Sequence, residues 1–161
     1  MKILIIGSLC LLLANDTFSQ ENPEKKFTFS ILTGIGIPLG DQGYFLLGIG
    51  GQGEYRLSER FSLYFPLQYQ HIVGYGMEVG TLGLMAGPRY YVSPNFFAGI
   101  GAGYAFYLTK NFGYDGGFIY HPHVGLNLRK TQWTIGYYSG LVGYYEPFLD
   151  LKVAFKIGGR N

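Results

Sequence analysis

The chain has 161 residues, including 26 glycines, 15 tyrosines and 13 phenylalanines, and a formal net charge of +2. This length suits one domain, and 48% hydrophobic against 14% charged residues excludes an intrinsically disordered chain. Because 12 basic residues face 10 acidic ones, the chain has no electrostatic footprint for nucleic acid, and we expect no such partner.

The first 19 residues have the features of a secretory signal peptide. Lys2 supplies a positive charge, and the apolar run from Ile3 to Leu13 is shorter than the roughly 20 residues of a membrane-spanning helix. Small residues then precede Gln20, so we predict a signal peptide over residues 1–19 and a barrel domain over residues 20–161. A retained membrane anchor is the alternative. The chain's one cysteine lies in the apolar run, so the mature domain has no thiol chemistry.

Beyond the signal peptide, bulky apolar residues alternate with small or polar ones in eight segments, which predicts eight strands of roughly 10 to 13 residues. In chain order these segments span residues 27–39, 44–57, 61–70, 82–92, 96–108, 118–128, 132–141 and 149–157. Short connections such as Ser93-Pro94-Asn95 alternate with longer ones such as His71 to Thr81. Tight turns at one end and longer loops at the other are typical of an outer-membrane barrel.

One face of each predicted strand carries most of the large rings and branched side chains, and the other carries glycine, small polar residues and charges. Alternation alone is compatible with a soluble barrel, such as a lipocalin, and with a membrane barrel. Eight strands enclose a space only just wide enough for side chains, too narrow for the bulky face. We therefore predict an all-β, eight-stranded antiparallel up-and-down transmembrane β-barrel with its bulky face toward lipid.

Three prolines, Pro66, Pro88 and Pro122, fall in the middle of predicted strands. Proline removes a hydrogen-bond donor from the sheet, and a closed barrel has no free edge where that loss is harmless. We therefore predict bulges or locally missing hydrogen bonds at the three positions.

Six charged side chains fall on the small-residue face and are predicted to lie in the lumen, four of them basic and two acidic. They are Glu54, Arg56, Arg89, Asp150, Lys152 and Lys156. Because charges in a confined interior need partners, we predict an ion-pair network that fills the lower lumen, with Asp150 and Lys152 approaching side chains of the second strand. A plugged barrel with a structural or interaction role is the main prediction. A narrow, porin-like channel, with a lumen that favours anions, is the alternative.

His121 and His123 also face the predicted lumen. Their spacing suits a pair of metal ligands, which Glu54 or Asn127 could supplement. Since Pro122 separates them and further ligands are scarce, we favour histidines held by hydrogen bonds. We expect no metal and no cofactor, and the polar lumen network is predicted to include both histidines.

A lipid-hydrolysing site built from His, Ser and an acid is a further alternative. Such sites in outer-membrane lipid A deacylases act at the lipid-facing surface, whereas His121 and His123 face inward. His71 faces outward, but no acid partner is evident in its pattern. We therefore predict that the protein is not an enzyme.

The longer loops are rich in glycine and tyrosine, for example at Tyr75 and Tyr114, and they resemble adaptable recognition surfaces.

The stretch from Gly87 to Gly99, GPRYYVSPNFFAG, continues through Tyr104 and resembles the small outer-membrane β-barrel proteins of Bacteroidota-type bacteria. The resemblance implies a monomer in the outer membrane, in contact with membrane lipid and lipopolysaccharide and inserted by the barrel-assembly machinery. Such barrels usually end on an aromatic residue. This chain departs from that pattern, because six residues follow Phe155.

Overall fold

The computed structural model describes residues 27–40, 43–74, 79–108, 116–140 and 147–157. These residues form eight strands: β1 (Phe27–Pro38), β2 (Phe45–Arg56), β3 (Phe61–Val73), β4 (Val79–Ser93), β5 (Phe96–Tyr107), β6 (Gly116–Asn127), β7 (Thr131–Gly140) and β8 (Phe148–Ile157). The predicted signal peptide over residues 1–19 lies outside the described residues, as do Tyr75 and Tyr114. Within the described ranges, no helix is long and apolar enough to cross a bilayer.

The eight strands form one antiparallel sheet that closes on itself. Each strand pairs with its neighbours in sequence, and β8 returns to β1, where Phe29 lies opposite Ile157 and Pro38 opposite Phe148. β1 therefore starts, and β8 ends, at the same end of the barrel as the β2–β3, β4–β5 and β6–β7 turns; we call it the turn end and the opposite one the loop end. The predicted all-β, eight-stranded up-and-down architecture is confirmed.

The two faces of the sheet differ in exposure as the alternation predicts. Ile49 on β2 is 60% exposed and Ile135 on β7 is 59% exposed, whereas Gln52 and Thr134 on the same strands are at most 5% exposed. A soluble barrel would place its branched side chains inside and its amides outside. The continuous apolar outer surface is that of a transmembrane barrel, in which lipid covers these side chains.

Exposed aromatic rings lie near both ends of the outer surface. Near the turn end they include Phe27, Phe61, Tyr90, Trp133 and Phe155, and near the loop end Phe45, Phe106 and Phe118. Aromatic side chains favour the two membrane–water interfaces, because their rings are apolar and Tyr and Trp add a polar group. The rings mark the levels at which the barrel leaves the hydrocarbon layer.

The three mid-strand prolines interrupt the sheet without shifting its register. Pro66 coincides with a two-residue gap in the β3–β4 pairing, Pro88 with one in β4–β5, and Pro122 with one in β6–β7. Beyond each gap the strands resume in the same register, because the neighbouring pairs still hold it. The predicted loss of ladder contacts is confirmed, whereas a bulge occurs at none of these prolines. The register shift in β4–β5 lies instead between Tyr91 and Ser93, beside the turn.

We predict that Ile135→Arg lowers the free energy of unfolding by about 2–4 kcal/mol, because it places a charge in lipid midway along β7. The measurement is denaturant titration of the protein folded in phospholipid vesicles. The matched control is Leu128→Arg, an outward position at the turn end, for which about 0–1 kcal/mol is expected near the interface. Equal and small losses at both positions would contradict a lipid-facing outer surface.

Candidate functional site in the barrel lumen

The lumen contains a cluster of buried polar side chains at its turn half. At its centre, Nη1 of Arg89 on β4 lies 2.9 Å from Oε2 of Glu54 on β2. Arg89 is 2% exposed and Glu54 is 6% exposed, so the pair is nearly removed from solvent. The two residues come together because the period of two places both on the inner face. A buried pair of this kind is stable only when further hydrogen bonds satisfy its remaining atoms.

Glu54 receives those further hydrogen bonds from three other strands. The Ser62 hydroxyl donates to Oε1 at 2.6 Å, and the Tyr91 hydroxyl donates to the same oxygen. Nε2 of Gln132 on β7 donates to Oε2 at 2.9 Å. Both carboxylate oxygens are therefore saturated, which is the condition for keeping a charge in the barrel interior.

The Arg89 guanidinium has three further hydrogen-bond acceptors besides Glu54. Nη1 also donates to Oε1 of Gln132 at 3.1 Å, Nη2 donates to Oε1 of Gln52 at 3.2 Å, and Nε donates to Nε2 of His123 at 3.1 Å. Its carbon lies 4.1 Å from the ring centre of Tyr64 and 4.6 Å from that of Phe97. Cation–π contacts of this kind stabilise a desolvated arginine. Arg89 thus joins side chains of β2, β3, β5, β6 and β7.

A second ionic cluster lies next to the first, toward the middle of the barrel. Nζ of Lys152 lies 2.7 Å from Oδ2 of Asp150, and Nε2 of His121 lies 3.0 Å from Oδ1 of the same carboxylate. All three side chains are at most 4% exposed. Asp150 and Lys152 are two apart on β8 and thus share its inner face. The described ion pairs join them to each other and to His121 on β6, and Nζ of Lys152 lies 5.4 Å from the ring centre of Tyr138 on β7. From the second strand, which they were predicted to approach, Leu46 and Gly48 line a small cavity beside them.

His121 and His123 connect the two clusters. Their rings stack with centroids 4.9 Å apart and an interplanar angle of 20°. His123 accepts from Arg89 at Nε2, and its Nδ1 lies 2.9 Å from the His121 carbonyl oxygen, so the geometry fits a neutral ring with its proton on Nδ1. Both nitrogens of His123 are engaged. In the described ranges, no group of three or more His, Cys, Asp or Glu side chains could hold a metal ion.

The remaining two predicted network residues lie at the turn end. Arg56 ends β2 and places its guanidinium carbon 4.8 Å from the ring centre of Tyr91. Lys156 is half-buried near the end of β8, opposite Ser30 of β1. The structure therefore divides the eight predicted residues into the Glu54–Arg89 cluster with His123, the Asp150 cluster, and two cations at the rim.

Glycines on the inner face provide the space that these large side chains occupy. A methyl group at Gly99 would lie 2.8 Å from both Cγ of Arg89 and Nε2 of His123, and one at Gly34 would lie 2.8 Å from Cγ of Lys152. A methyl group at Gly136 would meet His121, and it would lie 3.0 Å from Oδ1 of Asp150. These inward glycines therefore lie against large side chains rather than open space.

The lumen also contains an apolar cluster in its loop half, which the sequence analysis did not identify. Its buried members are Leu46, Met85, Ala105, Ile119, Tyr138 and Phe148. The alternation assigns Met85, Ile119 and Tyr138 to the inner face, and this was a usable signal that they contribute to the lumen. The alternation likewise assigns four further polar residues to the inner face, namely Gln52, Ser62, Gln132 and Tyr91. Only their contacts with Glu54 and Arg89 show that they belong to the network.

No protein-family model matches the chain, and no curated protein matches it. Solved structures are similar in fold. A de novo designed transmembrane β-barrel aligns with a TM-score of 0.59 at 13% identity, covering 81% of this chain and 95% of that one. The outer membrane protein Ail of Yersinia pestis, in a phospholipid bilayer nanodisc, aligns with a TM-score of 0.57 at 12% identity, covering 81% and 99%. The fold is thus that of a transmembrane β-barrel.

We predict that Arg89→Met lowers the free energy of unfolding by about 3–5 kcal/mol, because it leaves the Glu54 carboxylate buried without a counter-charge. The double variant Glu54→Gln/Arg89→Met should lose less than the sum of its two single changes. Denaturant titration of the four proteins in vesicles measures this coupling. Arg56→Met is the control, since this half-buried arginine lies at the rim. Additive losses would contradict a direct buried pair.

Proposed function

We propose that the protein is an integral outer-membrane barrel with a plugged lumen and a structural or interaction role at the cell surface. The observation that carries the proposal is the Glu54–Arg89 pair, which is buried in the lumen and held by further hydrogen bonds from other strands. The outer-membrane location is supported by the predicted signal peptide over residues 1–19 and by the likeness of the fold to an outer membrane protein. The resemblance to Bacteroidota-type barrels is part of this proposal.

The packing of the lumen supports the plug. Side chains of β2, β6 and β7 contact Arg89 of β4. Toward the loop end, the Asp150 cluster and then the apolar cluster occupy the lumen. A cavity beside Gln68, Gln70, Asp150 and Lys152 has a volume of about 10 Å³. That is room for about one water molecule.

We further propose that the barrel is not an enzyme. His71 is half-buried on the outer face, where its Nδ1 lies 3.3 Å from the Tyr69 hydroxyl. The acids among the described residues are Glu54 and Asp150, both held in the lumen, and Glu59, which lies in a turn at the other end. His71 therefore has no described acid that could orient it for hydrolysis. Release of acyl chains from lipopolysaccharide by the purified protein would overturn this part of the proposal.

We propose a monomer that contacts outer-membrane lipid and lipopolysaccharide and is inserted by the barrel-assembly machinery. Closure supports the monomer, because β8 pairs with β1 and the sheet has no edge strand left for a second copy. The lipid contacts are supported by the exposed apolar outer face.

The plug predicts that the purified protein produces no discrete conductance steps in a planar lipid bilayer. The quadruple variant Glu54→Ala/Arg89→Ala/Asp150→Ala/Lys152→Ala removes two ion pairs, and thus the lumen-filling charges, without leaving a charge unpaired. We expect it to conduct in discrete steps, provided that circular dichroism shows a folded barrel.

The control for this recording is Arg60→Ala/Lys130→Ala, which removes two exposed charges outside the lumen and should stay silent. Steady conductance by the unaltered protein would overturn the plug and favour the narrow channel. A folded quadruple variant that does not conduct would show that the ion pairs are not the seal.

A further inference from the structure

The turn end of the barrel is strongly basic. Among the described residues it carries three exposed cations and two half-buried ones, against a single exposed carboxylate. The exposed cations are Arg60, Arg129 and Lys130, the half-buried ones are Arg56 and Lys156, and the carboxylate is Glu59. Neither buried ion-pair cluster contributes to this surface. An excess of positive charge at one end of a membrane barrel acts on the lipid head groups that surround it.

Three of these cations are brought together where β6 and β8 end and β7 begins. Arg129 and Lys130 form the β6–β7 turn, and the backbone N–H of Lys156 donates to the Lys130 carbonyl oxygen at 2.9 Å. We call Arg129, Lys130 and Lys156 the basic corner. In the described parts of β6, β7, β8 and this turn, the one acid is Asp150, which is buried in the lumen.

The basic corner lies at the level of the turn-end aromatic rings. Trp133 and Phe155 are 43% and 50% exposed on the outer face, and Phe155 pairs with Thr131, the first residue after the turn. Across the barrel, Nη1 of Arg60 lies 3.4 Å from the Tyr90 hydroxyl, so a turn-end guanidinium reaches the ring level there too. Lysine and arginine next to interfacial rings direct their charged heads to the depth of the lipid phosphates.

We propose that the basic corner binds the phosphate of an anionic phospholipid of the phosphatidylglycerol type. The inference rests on the proposed outer-membrane location, in which the turn end faces the periplasm and is surrounded by phospholipid. Charge-assisted hydrogen bonds from Arg129 and Lys130 would hold the phosphate, while the acyl chains lie against Trp133 and Phe155. The Arg60 side of the barrel is the weaker site, because Glu59 is its immediate neighbour.

Trp133 is the chain's one tryptophan and therefore a local reporter for lipid at the basic corner. The experiment compares quenching of its fluorescence by brominated phosphatidylglycerol and by brominated phosphatidylcholine, with the purified protein reconstituted in mixed vesicles. We expect phosphatidylglycerol to be preferred at least about fivefold, the effect of one cation near an anionic surface. Raising the ionic strength from about 0.1 M to about 1 M should abolish most of the preference.

Arg129→Gln and Arg60→Gln form a matched pair, because each removes one exposed arginine from the turn end. We expect Arg129→Gln to lower the preference severalfold, Arg129→Gln/Lys130→Gln to abolish it, and Arg60→Gln to leave it unchanged. Equal losses in the two single variants would overturn the assignment to the basic corner.

This experiment distinguishes failure of the proposed lipid preference from failure of the proposed membrane location. Equal quenching by the two brominated lipids in the unaltered protein would overturn the phosphate site while leaving Trp133 in lipid. Absence of quenching by either lipid would place Trp133 outside the bilayer and overturn the proposed location as well.

Discussion

The structure depends on one constraint: the Arg89 guanidinium lies inside an eight-stranded barrel and must be neutralised and hydrogen-bonded there. Glu54 supplies the counter-charge at 2.9 Å, and Gln52, Gln132 and His123 accept three further N–H groups. These partners come from β2, β6 and β7, so one side chain ties opposite walls of the barrel together. A buried ion pair is not automatically stabilising, because desolvation opposes it. Here further hydrogen bonds to both partners oppose that cost.

The excess of glycine and of aromatic residues in the composition has a common spatial explanation. Inward glycines such as Gly99, Gly34 and Gly136 leave room for the side chains of Arg89, Lys152 and His121, while many of the aromatic rings are exposed on the outer face. The narrow interior requires small residues beside large polar ones, and the lipid outside requires bulk without charge. The excess of glycine therefore belongs mainly to the inner face of the sheet, and the excess of aromatic residues mainly to the outer face.

The sequence predicts the strands and their faces because the period of two follows from backbone geometry alone. For this reason it assigns Glu54, Arg89 and Asp150 to the inner face, and these three side chains are buried in the structure. It does not predict that Asp150 pairs with Lys152 and His121, since contacts across a lumen depend on the stagger of the strands and on rotamers, which alternation does not encode. It likewise misses the apolar cluster around Leu46 and Phe148, whose side chains resemble those on the lipid face. The prolines show the same limit of sequence analysis. The loss of strand pairing at each mid-strand proline is predictable, but the preserved register depends on the pairs that flank the gap.

The central claim is that the lumen is closed to water-borne solutes, and the accessibility of Thr134 tests it most directly. Thr134 is 5% exposed on the inner face of β7, opposite Lys152, and the chain's one cysteine lies within residues 1–19. In Thr134→Cys, a small charged methanethiosulfonate reagent should label the thiol in the folded barrel at least about a hundredfold more slowly than in Arg129→Cys, because the buried site excludes water. Unfolding should then make both thiols equally reactive. Rapid labelling of Thr134→Cys in the folded barrel would mean a continuous water path and would contradict the plug.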